Sequence, residues 1–91
     1  MKACRELSDL RSVGAATLRD FELLGICSVT QVARRDPEEL YKQLHARTSQ
    51  RQDVCCLDVL RAAVAQARNP NLPAEKCNWW YWSRLRRAGL V

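Results

Sequence analysis

Apolar residues recur at three- and four-residue intervals along most of this chain, and nowhere do they alternate over the length of a strand. Leu7 and Leu10 share one face of a first element expected from about Cys4 to Leu10. A break follows at Arg11-Ser12-Val13-Gly14, where Gly14 is placed to take a backbone conformation closed to other residues. From Ala15 a second helix carries Leu18, Phe21 and Leu24 inward and stops at Gly25, with Ile26 packing back on it. Ser28 with Gln31 forms a capping box that opens a short helix through Val32 and Ala33. Asp36-Pro37-Glu38-Glu39 is a stronger start: an N-cap, a proline at the first helical position, and two acids at the positive end of the dipole. The helix it opens buries Leu40, Tyr41 and Leu44 and is expected to fray from Arg47 to Gln50.

Asp53 reads as the cap of the longest helix, Val54 to about Arg68, with Cys56, Leu57, Leu60, Ala63, Val64 and Ala67 at helical spacing. Asn69-Pro70-Asn71-Leu72-Pro73 ends it. A last helix is expected from near Pro73, carrying Trp79, Trp80, Tyr81 and Trp82 and ending in Arg84, Arg86 and Arg87. The pattern predicts an all-α fold: one domain over residues 1–91, a compact bundle of about five helices around one core. An N-terminal helix-hairpin-helix spans about 4–25 and a Trp/Arg helix about 73–88.

Composition narrows the class. Apolar residues make up 47% and charged residues 27%, too apolar for disorder. No stretch is long and apolar enough for a signal peptide or a membrane span, so no membrane partner is expected. Five cysteines, an odd number without a C-x-x-C pair, point to buried thiols in a reducing cytoplasm. Fifteen Lys and Arg against ten Asp and Glu leave a net charge of +5, a bias toward polyanions without sequence information.

The physical logic of a hairpin at Arg11 to Ala16 is a tight turn ahead of a helix whose first N–H groups have no intrahelical acceptor. Together with the helix dipole these amides suit a phosphate oxygen, and such contacts position a protein on DNA without reading sequence. Such a turn also serves simply to join two packed helices. Ordered along the chain stand Leu10 to Thr17, Gly25-Ile26-x-Ser28-Val29, Asp36-Pro37-Glu38-Glu39-Leu40-Tyr41, Asp53-x-Cys55-x-Leu57-Asp58-Val59, Arg61-Ala62-Ala63-Val64, Ala67-Arg68-Asn69-Pro70 and Trp79-Trp80-Tyr81-Trp82. Together they resemble the small bacterial helix-hairpin-helix proteins of the pathogenicity-locus and mitomycin-resistance family. The first half is also similar to the C-terminal domain of the RNA polymerase alpha subunit. The first resemblance implies a small helical fold and DNA binding through the hairpin; the second implies contacts to DNA and to protein activators. Members of the first family usually carry glycine where this chain has Ser12, and proline where it has Val54.

Other residues carry candidate chemistry. Cys55 and Cys56 sit in the first turn of a helix, where the dipole favours thiolate, and His45 could approach them. Asp53 and Asp58 oppose a low thiol pKa, and Cys56 also reads as a small core residue. No set of ligands has metal spacing, no glycine-rich nucleotide loop appears, and no catalytic triad is visible. The chain is therefore expected to be no enzyme and to hold no metal or cofactor. On the last helix Trp79 and Trp82 share one face, while Trp80 shares another with Arg84. The first pair can close the core against Leu57, Leu60 and Val64. Trp80 or Tyr81, flanked by Arg84, Arg86 and Arg87, suits either stacking on unpaired bases or a protein groove.

The expected function is sequence-independent, weak binding of the DNA backbone. Arg11, Ser12, Val13, Gly14, Ala15, Ala16 and Arg19 form the hairpin surface, and Trp80, Arg84, Arg86 and Arg87 a second contact. Roughly two to four phosphate contacts imply micromolar or weaker affinity at physiological salt. The alternative is an interaction module, with a protein partner or a second copy of the chain on the tryptophan-rich surface.

Overall fold

A computed structural model describes residues 5–49 and 52–91 and is all-helical. A 3₁₀ turn at Leu7–Asp9 leads into α1 (Ala15–Leu23), α2 (Val29–Ala33), α3 (Pro37–Thr48) and α4 (Val54–Arg68). A second 3₁₀ turn at Ala74–Cys77 precedes α5 (Trp79–Arg87). The radius of gyration is 12.5 Å, close to the roughly 12 Å expected of a packed chain this size.

Local capping chemistry sets most helix starts. Ser28 Oγ accepts the Gln31 N–H at 3.2 Å while Gln31 Oε1 accepts the Ser28 N–H at 3.1 Å, closing the box that opens α2. Asp36 accepts from the Glu38 N–H at 2.9 Å and Asp53 from the Cys55 N–H at 2.8 Å, each satisfying an amide at the first turn. At the other end of α1, Gly25 is left-handed (φ +74°), and the Ile26 N–H reaches back to the Phe21 carbonyl at 2.9 Å. That is a Schellman stop, and it turns Ile26 back into the core beside Phe21.

α4 is the axis of the structure. It packs against α2, α3 and α5, and nine of its fifteen residues are buried, so it is covered on nearly every side. Leu60, Ala63 and Val64 of α4 meet Phe21, Val32, Leu40 and Leu44 in one apolar cluster. Burying each of the larger side chains contributes about 1.5–3 kcal/mol.

Arginines close several helix ends. Arg5 donates to the carbonyls of Gln66 (2.9 Å) and Ala67 (3.2 Å) near the end of α4, and Arg47 to that of Leu23 (3.2 Å) at the end of α1. Arg68 donates to the carbonyl of Ala33 (2.9 Å), the last residue of α2. Last-turn carbonyls lack intrahelical donors and sit at the negative end of the dipole, so a guanidinium from another element satisfies both needs. Part of the positive charge counted in the sequence is thus committed to holding helices together.

Three expectations are corrected. The first element is a single 3₁₀ turn, Leu7–Asp9, rather than a helix from Cys4; Cys4 lies outside the described residues. The Asp9 carboxylate accepts the Glu6 N–H at 2.7 Å, and Leu10 is already extended, which stops propagation. The last helix begins at Trp79, not Pro73, because Ala74–Cys77 winds as a 3₁₀ turn and Asn78 is extended. Trp79 and Trp82 do not close the core: both are half-buried, and the fully buried residue of α5 is Ser83. α3 ends at Thr48, inside the Arg47-to-Gln50 stretch where its end was expected, with Ser49 left-handed after it; Gln50 is outside the described residues.

Candidate functional site

The turn before α1 has an unusual backbone. Ser12 takes the left-handed conformation (φ +73°), whereas Gly14 is extended (φ −101°, ψ −170°) and serves as the N-cap of α1. The expectation that Gly14 supplies the special conformation is therefore corrected; the strained residue is the serine two positions earlier. A Cβ added at Gly14 would meet nothing within 4 Å.

Ser12 is held there by distant groups. Its hydroxyl donates to the Cys77 carbonyl at 3.1 Å and accepts the Trp79 N–H at 3.0 Å, so it caps the first turn of α5 from across the molecule. Beside it, the buried Gln66 side chain clamps the backbone of Arg11. Oε1 accepts the Arg11 N–H at 2.8 Å, and Nε2 donates to the Arg11 carbonyl at 2.7 Å. The pairing mimics a strand ladder with one side-chain amide, and it fixes the turn to α4.

These anchors bring the start of α1 and the start of α5 together. Between them lies a shallow cleft of about 520 Å³, lined by Arg11, Ser12, Val13, Gly14, Asn78, Trp79 and Trp80. Among the described residues no acidic side chain lines it. Gly14 offers no side-chain cap to α1, and among the described residues nothing accepts the N–H groups of Gly14, Ala15, Ala16 and Thr17. Gly14, Ala15 and Ala16 are exposed residues and Thr17 is half-buried, and their acceptor-less amides lie at the positive end of the dipole. Trp80 is 51% exposed, its ring edge-on to Trp79 with centroids 6.0 Å apart and planes at 82°.

The structure thus places Arg11, Ser12, Val13, Gly14 and Trp80 in one cleft, with Ala15 and Ala16 on the adjoining helical turn. Arg19, Arg84, Arg86 and Arg87 do not line it. Arg19 and Arg87 are exposed, and Arg84 pairs loosely with Glu75 at 3.4 Å. Arg86 is committed elsewhere. It grips the fully buried Asp58 with Nε at 3.0 Å and Nη2 at 3.0 Å, binding α5 to α4, and the carboxylate holds its pKa above the ordinary value.

Gln66, Asp58, Asn78 and Trp79 were not singled out for these roles from sequence. A signal existed for two of them. Asp58 and Gln66 are polar residues within the helix that carries the densest apolar spacing, and such residues demand buried partners.

Beside α1 and α4 a second cavity of about 290 Å³ is lined by Asp20, Asp53, Cys55, Cys56 and Trp79, among others. Hydrogen bonding to Asp53 pushes the Cys55 thiol up. Burial, helped by Asp20 and Asp53, pushes Cys56 up to about 11. Both effects favour the thiol over the thiolate, and the expectation of buried thiols is corrected: Cys27 is exposed, and Cys55, Cys56 and Cys77 are half-buried. Among the described residues His45 makes no hydrogen bond with the thiol of Cys55 or Cys56; it packs edge-on against Tyr41, ring centroids 4.4 Å apart. Among the described residues no group of three or more His, Cys, Asp or Glu is placed to hold a metal ion, and no helix is long and apolar enough to cross a membrane.

An all-helical protein built on a central helix, with an uncapped helix start beside an exposed tryptophan, defines a small class. The chain belongs to the Cdd1 family, described as Pathogenicity locus, whose model matches residues 1–88. It is also 40% identical over 82 residues to the mitomycin resistance protein McrB of Streptomyces lavendulae, covering 90% of this chain and 74% of that protein. No solved structure matches it at a significant level.

Proposed function

We propose that this protein is a non-enzymatic, sequence-independent binder of the DNA backbone, acting through the degenerate helix-hairpin-helix expected over about 4–25, with its first helix reduced to a 3₁₀ turn. The observation that carries this reading is the run of exposed residues with acceptor-less amides at Gly14, Ala15 and Ala16, of which Gly14 lines the cleft with Arg11 and the two alanines follow on the adjoining turn of α1. A phosphate oxygen there would replace water on amides that the helix cannot satisfy itself. Ser12 stands where related hairpins usually carry glycine, and its bonds to α5 compensate for the left-handed backbone, so the departure leaves the amides available. Arg19 and Arg87 supply further exposed charge. Because the relative with 40% identity is called a mitomycin resistance protein, a role in drug resistance at the level of DNA is part of the proposal.

The test is anisotropy of a labelled duplex titrated with protein at several salt concentrations. Log affinity should fall linearly with log salt, and Arg11→Gln should reduce the slope by about 0.9, the loss of one phosphate contact. Gly14→Ser separates binding from folding. The serine hydroxyl would accept an N–H at the first turn of α1, stabilising the helix by a few tenths of a kcal/mol while competing with phosphate. Weaker binding by a protein of undiminished thermal stability supports the reading. Unchanged affinity in both variants refutes it.

A protein partner is the second reading, favoured by the exposure of Trp80 together with Leu90 and Val91 in the C-terminal segment. It predicts that Trp80→Ala alters oligomeric mass or partner capture while duplex affinity stays the same.

A further inference from the structure

The cleft joins two different kinds of surface, and their junction suggests which form of DNA it takes. One wall is backbone and Arg11; the other is the indole of Trp80. We propose that the cleft receives an unpaired nucleotide, its base stacked on Trp80, so that the preferred ligand is single-stranded or frayed DNA rather than intact duplex. The inference rests on the backbone-binding reading and assigns it a substrate class.

Three observations carry it. Trp80 is half exposed although α5 has a buried side available, and it is propped edge-on by Trp79. The backbone of Trp79 is held by Ser12, which accepts its main-chain N–H, and the residue lines both cavities beside α1. A platform fixed in this way loses little side-chain freedom when a flat group stacks on it. Trp82, one turn-face away, is instead locked by its indole N–H on the Lys76 carbonyl at 2.8 Å, which leaves Trp80 as the tryptophan of the cleft free to take a ligand's face.

The charge around the platform selects the occupant. The cleft carries Arg11 and no acid, whereas the cavity on the other side of Trp79 carries Asp20 and Asp53. Arg84 follows Trp80 by one helical turn on the exposed face. A polyanion with flat apolar faces matches this arrangement, and in a duplex those faces are hidden by stacking. A single strand offers both, phosphate to the amides and base to the indole, and aromatic stacking of this kind tolerates any base. Ser12 couples the two walls, because one hydroxyl bridges the hairpin turn to the first turn of α5.

The experiment compares three labelled probes of equal length by anisotropy: an oligo-dT strand, a single strand made of abasic sites, and a blunt duplex. The abasic strand keeps the phosphates and removes the bases. Oligo-dT should bind roughly ten- to a hundredfold more tightly than the abasic strand. Trp80→Ala should erase that difference between the two single strands, and Trp80→Phe should restore part of it. Far-UV circular dichroism melting of each variant establishes that the helices remain. Equal affinity for oligo-dT and abasic strands, or a preference that survives Trp80→Ala, overturns the inference and leaves the backbone reading standing. Failure of all three probes to bind folded protein at low salt overturns both.

Discussion

Ser12 is the residue on which the candidate site turns, and its replacement has a calculable outcome. A non-glycine residue in the left-handed region costs roughly 1–2 kcal/mol. Against that stand two hydrogen bonds, to the Cys77 carbonyl at 3.1 Å and from the Trp79 N–H at 3.0 Å, each contributing about 0.5–1.5 kcal/mol net. Ser12→Ala keeps the strain and loses both bonds, a destabilisation of about 2 kcal/mol. Ser12→Gly also loses both but relieves the strain, less about 0.5–1 kcal/mol for the greater freedom of glycine in the unfolded chain. Its net loss is about 1 kcal/mol. Glycine should therefore be the more stable of the two variants, the reverse of their order at an ordinary position. Urea unfolding followed by far-UV circular dichroism measures both. Alanine equal to or better than glycine would refute the left-handed assignment, and an alanine variant as stable as the parent would refute the bridge to α5.

The remaining predictions concern the supports of the site and its thiols. Arg86→Ala should lower the urea midpoint more than Asp58→Ala, because it strands a fully buried carboxylate, whereas Arg86 is 24% exposed and can turn to water. The double variant Asp58→Leu/Arg86→Met should recover most of either loss. Cys56 should react with iodoacetamide slowly near neutral pH and faster as pH approaches about 11, lagging the exposed Cys27 throughout. The unfolded chain ionises this thiol earlier, near its ordinary value of about 8.5, while the folded protein keeps the proton. Its contribution to stability is therefore intact below that value and falls as pH rises to about 11, which melting curves across that window would show.

Arginine chemistry illustrates how a correct composition argument needs structural correction. The net charge of +5 pointed to a polyanion partner, and Arg84, Arg86 and Arg87 read as one basic patch. In three dimensions they part: Arg86 serves Asp58, Arg84 lies beside Glu75, and Arg87 stays exposed. Side chains one residue apart on a helix point about 100° from one another, so adjacency in sequence does not make a shared surface. The tryptophans show the same effect. Their spacing separated Trp80 from Trp79 and Trp82, but not which face α5 would lay on α4. That was decided by Ser83, small enough for close approach, and by the buried pairing of Asp58 with Arg86.

Three helix starts were determined by sequence alone, because caps act over a few residues: Ser28 with Gln31, Asp36 with Pro37, and Asp53 each fix the helix that follows, and Gly25 stops α1. The inward stripe of α4 was equally legible from its periodicity. The cleft was not. Gln66 reaches Arg11 across 55 positions, and Ser12 reaches Cys77 and Trp79 across 65 and 67. Ser12 holds its left-handed backbone, and Gln66 its burial, through hydrogen bonds that distant groups complete. Those groups arrive only when α4 and α5 have packed, so this part of the protein belongs to the tertiary structure.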